Sequence, residues 1–402
     1  MKYVILGYGL EGAAAEEYFK ELPGAEDVKV IDNDHTRSFA EQLKGLEEYV
    51  VIRSPGIVLK KIPENFKVWS TTNEFFMKCP APIIGVTGSK GKGTTSTMIA
   101  RILEAKGFRA HLVGNIGQPA IAELHKIQPE DYVVFELSSF QLWDIEKSPH
   151  IAVLTILEPD HLDVHADFDE YIAAKANIVK FQNENDLVVY NRNDQLVAKV
   201  AEDSRARKIA YPNELIKDLK SFMRVPGEHN LNDAQAAVSA VWDIIEDDVT
   251  AVKNALEGFK GLPHHIEFVR ELNGVQYYDD SFSSNPTATR VAVKAFTNPI
   301  VLILGGSDKG IDMTPLKEFL NNVENIKKIL LIGQIKEKLS AGLGQDFEIM
   351  QTTNFKRILE RARELADYGD IVLLSPGTAS FDMFKNFYDR GEKFQKIIKG
   401  FK

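Results

Sequence analysis

Residues 82–95 read Pro-Ile-Ile-Gly-Val-Thr-Gly-Ser-Lys-Gly-Lys-Gly-Thr-Thr. An apolar run, Ile83–Val86, enters a glycine-rich turn, and hydroxyl residues open a stretch with helical spacing, Thr95–Leu103. Glycines let backbone N–H groups converge on oxygen atoms, a helix N-terminus adds positive potential, and Lys92 adds a full charge. Together these make a phosphate cradle. The common P-loop pattern is met with two substitutions. Val86 stands at its first glycine, and Gly93 directly follows the lysine, so Thr94 is the substitute hydroxyl for Mg²⁺.

The rest of the chain repeats this strand-then-helix alternation, which predicts an α/β fold of parallel sheets covered by helices. Strands are expected at Tyr3–Leu6, Val28–Ile31, Ile83–Val86, Tyr132–Leu137, Ile151–Leu157 and Leu187–Tyr190. Further strands are expected at Ile300–Leu304, Lys328–Ile332 and Ile371–Leu374, with a strand-like run at Gly274–Tyr278. Helical spacing marks Thr95–Leu103, Phe168–Val179, Asn230–Ile245 and Phe355–Leu365.

A second phosphate-type loop opens the chain. Val4–Leu6 runs into Gly7-x-Gly9-x-x-Gly12, and Asp32 closes another apolar run about twenty residues later. This is a dinucleotide-binding fingerprint, and an NAD(P)-dependent oxidoreductase would use it. A nucleotide sugar also carries a pyrophosphate and ribose hydroxyls, so the same geometry serves it. Two such loops in one chain weaken the simple dehydrogenase reading.

Composition narrows the partners. The 402 residues suffice for two or three domains, and a net charge of −10 argues against nucleic acid or an anionic membrane. The single cysteine, Cys79, fits a reducing compartment. The short N-terminal apolar run is no signal peptide and no stretch is long enough to span a membrane, so a cytoplasmic protein is expected. Cys79-Pro80-Ala81-Pro82 and Gly261-Leu262-Pro263-His264-His265 punctuate the pattern and suggest domains at 1–79, 80–262 and 263–402.

Several residues stand out by position. Glu136 ends an apolar strand, where a charge needs a cation or a donor. His161 follows another strand, in Pro159-Asp160-His161-Leu162-Asp163; a lone histidine there is a structural hydrogen-bonder or a ligand. Lys175 shares a helical face with Tyr171, Ile172 and Ile178, where a lysine usually pairs with an acid or extends outward. Ser138 and Ser139 either contact a ligand or cap a turn.

An ordered set of motifs carries a resemblance. It runs from Thr87-Gly88-Ser89-Lys90-Gly91-Lys92 through Gly114-Asn115-Ile116-Gly117, Glu136-Leu137-Ser138-Ser139-Phe140-Gln141-Leu142 and Asp160-His161-Leu162-Asp163. Tyr171-Ile172-Ala173-Ala174-Lys175, Gly227-Glu228-His229-Asn230, Asp279-Asp280-Ser281, Gly305-Gly306 and Phe384-Lys385-Asn386-Phe387 follow in order. The chain resembles the Mur ligases, ATP-dependent amide-forming enzymes of peptidoglycan precursor synthesis, and within them the branch that adds D-glutamate.

The resemblance implies three domains: an N-terminal Rossmann-like domain for the UDP substrate, a central P-loop ATPase domain, and a C-terminal Rossmann-like domain for the amino acid. It implies a monomer acting on small molecules, UDP-N-acetylmuramoyl-L-alanine and D-glutamate, with ATP and two Mg²⁺ ions. The substrate carboxylate would take the γ-phosphoryl group, and the amine of D-glutamate would then displace phosphate.

Residue by residue, the implied catalytic group is Lys92, Glu136, His161 and Lys175. ATP would meet Gly88, Ser89, Lys90, Gly91, Lys92, Gly93, Thr94, Asn230 and Asp280. The UDP substrate would meet Gly9, Leu10, Asp32, Asn33, Ser54, Pro55, Gly56, Asn115, Ser138 and Ser139. The amino acid would meet Ser284, Lys309, Ser380 and Phe387. Metal would be held by Thr94, Glu136, His161 and a carbamylated Lys175.

The sequence departs from the family pattern at Gly93, at Phe282 (usually lysine), at His265 (usually arginine), at Asp233 (usually asparagine) and at Glu11 (usually a neutral hydroxyl). Near a pyrophosphate, Glu11 would repel unless it pointed away. These departures keep open an amide ligase for another amino acid or a folylpolyglutamate-type substrate, and a noncatalytic nucleotide-binding regulator. An oxidoreductase would leave Lys92, Glu136, His161 and Lys175 without roles.

Overall fold

Continuous Val/Ile/Leu runs become the central strands of three sheets, as expected where both faces are covered. The structure is a computed structural model that describes residues 1–32 and 37–402, so Asn33 lies outside the described residues. The first sheet holds β1 (Lys2–Leu6), β2 (Asp27–Ile31), β3 (Val50–Arg53) and β4 (Lys67–Ser70), all parallel in the order β2-β1-β3-β4.

The second sheet holds β5 (Ile83–Thr87), β6 (Ala110–Gly114), β7 (Tyr132–Glu136), β8 (Ile151–Leu154), β9 (Leu187–Asn191) and β10 (Arg207–Tyr211). It is parallel throughout, in the order β10-β9-β8-β5-β7-β6. The third holds β11 (Glu267–Leu272), β12 (Val275–Asp279), β13 (Ile300–Gly305), β14 (Ile326–Ile332), β15 (Phe347–Ile349) and β16 (Ile371–Leu374). Its order is β11-β12-β16-β13-β14-β15, and only β11 runs antiparallel to its neighbour.

Helices cover the sheets with apolar stripes. The helix Lys92–Lys106 buries Met98, Ile99, Ile102 and Leu103 against the second sheet. The helix Phe168–Lys180 starts at Asp167, whose side chain accepts from the Glu170 N–H, and buries Tyr171, Lys175, Ile178 and Val179. The strand expected over 151–157 stops at Leu154. Beyond it the chain is drawn onto the phosphate loop: Thr155 N–H bonds the Thr87 carbonyl, and the Ile156 carbonyl accepts from Ser89 N–H at 2.6 Å. The helix expected from Asn230 runs from Glu228 to Val241.

The chain divides into two compact units. One contains residues 1–222 and 232–256, with the first two sheets; the other contains residues 223–231 and 257–402, with the third. Among the described residues no helix is long and apolar enough to cross a membrane.

Within the first unit, Arg53 at the end of β3 is fully buried and reaches the segment that follows β7. Its guanidinium donates to both carboxylate oxygens of Asp144, at 3.2 and 2.6 Å, and to the Phe140 and Ile57 carbonyls. Breaking such a pair leaves the half-buried Asp144 carboxylate without its cation, so Arg53→Ala should lower unfolding free energy by about 3–5 kcal/mol in urea titrations. A loss below about 1 kcal/mol would show that the pair behaves like an exposed one.

Candidate active site

In an open α/β sheet the ligand crevice lies beyond the carboxyl ends of the strands. β5 sits between β8 and β7, so the segments leaving Thr87, Glu136 and Leu154 emerge side by side. They carry the phosphate loop, Glu136 and the Asp160–His161 pair. The loop conformation requires its glycines. Gly88 has φ 154° and Gly91 φ 81°, and a Cβ would lie 1.9 Å from Thr155 Oγ1 at the first and 2.3 Å from Asp233 Oδ1 at the second.

Side chains hold the loop from behind. Ser89 Oγ donates to the Glu158 carbonyl at 2.7 Å and lies 3.0 Å from the Tyr171 hydroxyl, while Thr155 Oγ1 donates to the Lys90 carbonyl at 2.6 Å. Lys90 is exposed and pairs with Glu158. Gly93 and Thr94 lie in the first turn of the helix, half-buried. Asp233 is buried against the loop, and that burial pushes its carboxyl well above the ordinary range.

Two lysines converge on the same loop. Lys92 Nζ donates to the carbonyls of Gly88 and Ser89, at 3.0 and 3.1 Å. Lys175 is 1% exposed, and its Nζ donates to the Gly88 carbonyl at 2.7 Å and to Thr87 Oγ1 at 3.3 Å, above the Tyr171 ring. Burial lowers both ammonium pKa values; for Lys175, neighbouring Lys92 adds to the effect and takes it well below the usual range. Glu136 and Asp160 pull both back up, so four charged groups act on one another here.

Glu136 is 4% exposed and accepts from Asn115 Nδ2 at 3.0 Å. His161 is half exposed at φ 53°, with Nε2 3.6 Å from Asp160 Oδ2 and its ring edge-on to Phe140 at 5.0 Å. Asp160, Thr87, Tyr171 and Thr155 were not singled out from the sequence. The available signal for Asp160 was an acid just past an apolar run, beside the histidine.

A cavity of about 580 Å³ lies at the carboxyl ends of the first sheet and beside those of β6 and β7. The first sheet contributes Gly9, Leu10, Asp32 and the Ser54–Gly56 turn; the second contributes Asn115 and Ser138. Asp32 Oδ1 accepts from Tyr8 N–H at 3.1 Å. Ser138 also caps the short helix Ser139–Leu142, exchanging bonds with Gln141. Ser139 does not line the cavity: it is buried, with Oγ 3.0 Å from His165 Nε2. Glu11 also lines it, while its carboxylate accepts from Thr71 Oγ1 at 3.4 Å, a residue outside that lining.

In the second unit, β12, β16 and β13 are adjacent and parallel, so the segments after Asp279, Leu374 and Gly305 share one edge. Asp280, Ser284, Lys309 and Ser380 lie on these segments, and Phe387 opens the helix Phe387–Lys399. Asp280 is buried and accepts from Ser375 Oγ at 2.6 Å and Ile266 N–H at 3.2 Å; burial pushes its carboxyl up to about 7. Ser281 Oγ donates to the Phe387 carbonyl and accepts from the buried Arg390. Lys309 is exposed, and Asn230, in the same unit, donates to the Pro226 carbonyl at 2.6 Å.

His265 and Phe282 touch one another. His265 stacks on Phe282 with ring centroids 3.8 Å apart, and Phe282 meets Phe387 edge-on at 5.2 Å. Burial and then His264 push His265 down to about 4, so it is a neutral ring at pH 7.

Comparison with known proteins places this arrangement. Residues 86–221 match the Mur ligase middle domain, and residues 265–377 match the Mur ligase glutamate ligase domain. The chain belongs to the Mur ligase family. Curated relatives are UDP-N-acetylmuramoylalanine--D-glutamate ligases. The one from Acetivibrio thermocellus is 35% identical over 99% of this chain and 96% of its own. That of Clostridium kluyveri is 38% identical over 86% and 80%.

Among solved structures, UDP-N-acetylmuramate-alanine ligase from Thermotoga maritima aligns with a TM-score of 0.62 at 16% identity, covering 99% of each chain. FolC of E. coli aligns at 0.53 with 18% identity, covering 82% of this chain and 91% of its own. At such identities these two show the fold alone.

The glycine geometry gives a direct test. Gly91→Ala places a methyl group against Asp233 in a left-handed backbone. It should cost about 1–3 kcal/mol in chemical denaturation, where a helix-surface Gly→Ala would stabilise.

Proposed function

We propose that this protein joins D-glutamate to UDP-N-acetylmuramoyl-L-alanine in an ATP-dependent step, in the cytoplasm and as a monomer. The observation that carries the reading is the meeting of Lys92, Glu136, Asp160 and Lys175 at one strand-end crevice, in a chain 35% identical over 99% of its length to such a ligase. The Mur ligase family is ATP-dependent and uses Mg²⁺ in general. Residues 1–79 would hold the UDP end, 80–262 ATP, and 263–402 the amino acid.

The chemistry brings anions together. A substrate carboxylate oxygen attacks the γ-phosphorus and ADP leaves; the amine nitrogen then attacks the acyl carbon and inorganic phosphate leaves. In this reading the loop N–H groups and Lys92 neutralise the phosphates. Asn115, bonded to Glu136 and lining the cavity, orients the reacting carboxylate. Ser284, Lys309, Ser380 and Phe387 receive the amino acid, with the Lys309 cation facing a carboxylate.

The donor set fits Mg²⁺ on one condition. Glu136, His161 and Thr94 offer an acid, an imidazole and a hydroxyl, whereas an ammonium at Lys175 would repel a cation. Burial of Lys175 favours its neutral amine. That amine can add to CO₂ and lose a proton, becoming a carbamate anion suited to a second ion. Bound Mg²⁺ would supply positive charge to the phosphoryl oxygens.

Phosphate release with ATP, Mg²⁺ and UDP-N-acetylmuramoyl-L-alanine should occur with D-glutamate and not with L-glutamate, D-aspartate, L-lysine or a folate. Release with L-lysine alone would move the chain to another branch. Lys92→Ala should lower kcat by about 10²–10³-fold or more; unchanged turnover would show the ATP loop misassigned. Lys175→Ala should be inactive and partly restored by short carboxylic acids. Inactivity that no carboxylic acid relieves would count against a carbamate.

A further inference from the structure

We propose that Glu11 makes nucleotide-sugar binding proton-coupled: the diphosphate enters the cavity at the first sheet together with one proton, which neutralises the Glu11 carboxylate. The inference rests on the nucleotide-sugar reading of that cavity given above.

The cavity is built for an anion by its backbone and against one by its side chains. Gly9 caps the helix Leu10–Glu21 with no side-chain bond, leaving first-turn N–H groups to a ligand. Glu11 occupies that first turn and lines the cavity. Among the described residues that line it there is no lysine, arginine or histidine, and the acids are Glu11 and Asp32. Asp32 already has a donor in Tyr8 N–H. Glu11 accepts only a long bond, 3.4 Å, from Thr71 Oγ1. Among the described residues that line the cavity, a doubly charged diphosphate beside an ionised Glu11 therefore meets no side-chain cation to offset the repulsion, and a proton is the simplest remedy.

Among the described residues, the acids on the elements packed around Glu11 are held by other partners. On its own helix Glu16 is tied to Lys20 and Tyr8. On the helix Thr71–Lys78, Glu74 accepts from Tyr18 and Trp69. Glu123, on the short helix packed against Leu10–Glu21, is held by Lys126. The Ser54–Ile57 turn and the cavity-lining residues of 114–119 and 138–141 contain no titratable side chain. Burial already pushes the Glu11 carboxyl up to about 7, so the proton is available near neutrality.

The sign follows from linkage. The ligand prefers the protonated acid, so affinity is greatest below about pH 7. It falls by up to tenfold per pH unit above that, until the complex itself releases the proton.

Calorimetric titration of the full chain with UDP-N-acetylglucosamine tests this, in EDTA from about pH 6 to 8.5, using two buffers of different ionisation enthalpy. This probe is a diphosphate diester whose phosphates keep their charge over that range. The wild type should take up close to one proton per ligand near pH 8 and bind more weakly as pH rises. Glu11→Gln should bind with no proton uptake and a flat pH profile. Glu11→Thr, a smaller change at the same place, should do the same.

Binding by the wild type that is flat in pH and without proton uptake overturns the coupling and leaves the cavity assignment standing. Uptake that persists in Glu11→Gln, or binding that appears only on adding Mg²⁺ and without a proton, also overturns it. No binding at any pH, with or without Mg²⁺, overturns both the coupling and the nucleotide-sugar reading of the cavity.

Discussion

One carbonyl oxygen, that of Gly88, accepts from two lysines. Lys92 and Lys175 approach it from the start of one helix and the middle of another, and both are withdrawn from water. Two charged ammonium groups so placed repel each other, and burial penalises each. The surrounding structure answers that conflict with Glu136 and Asp160 and with the ring of Tyr171 beneath Lys175. Much of the local architecture follows. Thr155 and Ser89 fix the loop so that the carbonyl faces inward, and the chain after β8 leaves its strand early to reach that loop. An anionic ligand at this crevice would relieve the repulsion rather than add to it.

The central strands were legible because buried parallel strands are almost uninterrupted apolar runs. The sequence reading passed over β3, β4, β6, β10, β11 and β15. All but β3 are edge strands of their sheets. An edge strand is partly wet and short, and its polar residues blur the period: β10 reads Arg-Lys-Ile-Ala-Tyr, and β15 has three residues. β3 escaped for another reason. It ends in Arg53, and nothing local says that an arginine will be fully buried; its partner Asp144 is distant in sequence.

The candidate site divides in a similar way. Lys92 and Glu136 could be read from their own neighbourhoods, one on a glycine-rich loop and the other at a strand end. Thr155 and Tyr171 could not, because their contacts with the loop join segments far apart in the chain. Lys175 shows the limit of pattern reading. Its helical face suggested an ion pair or an extended side chain, but the face lies under the phosphate loop, and the amine bonds a carbonyl instead. Ser138 caps a turn, one of its two readings, and also lines the cavity.

The stack of His265 on Phe282 bears on how this sequence accepts substitution. Each ring forms part of the other's surroundings. Arginine restored at 265 alone would place a permanent charge where burial already drives a histidine to neutrality. Lysine restored at 282 alone would remove the ring on which His265 lies. The two positions are therefore coupled through contact, and a catalogue of variants that treats them separately would misjudge both.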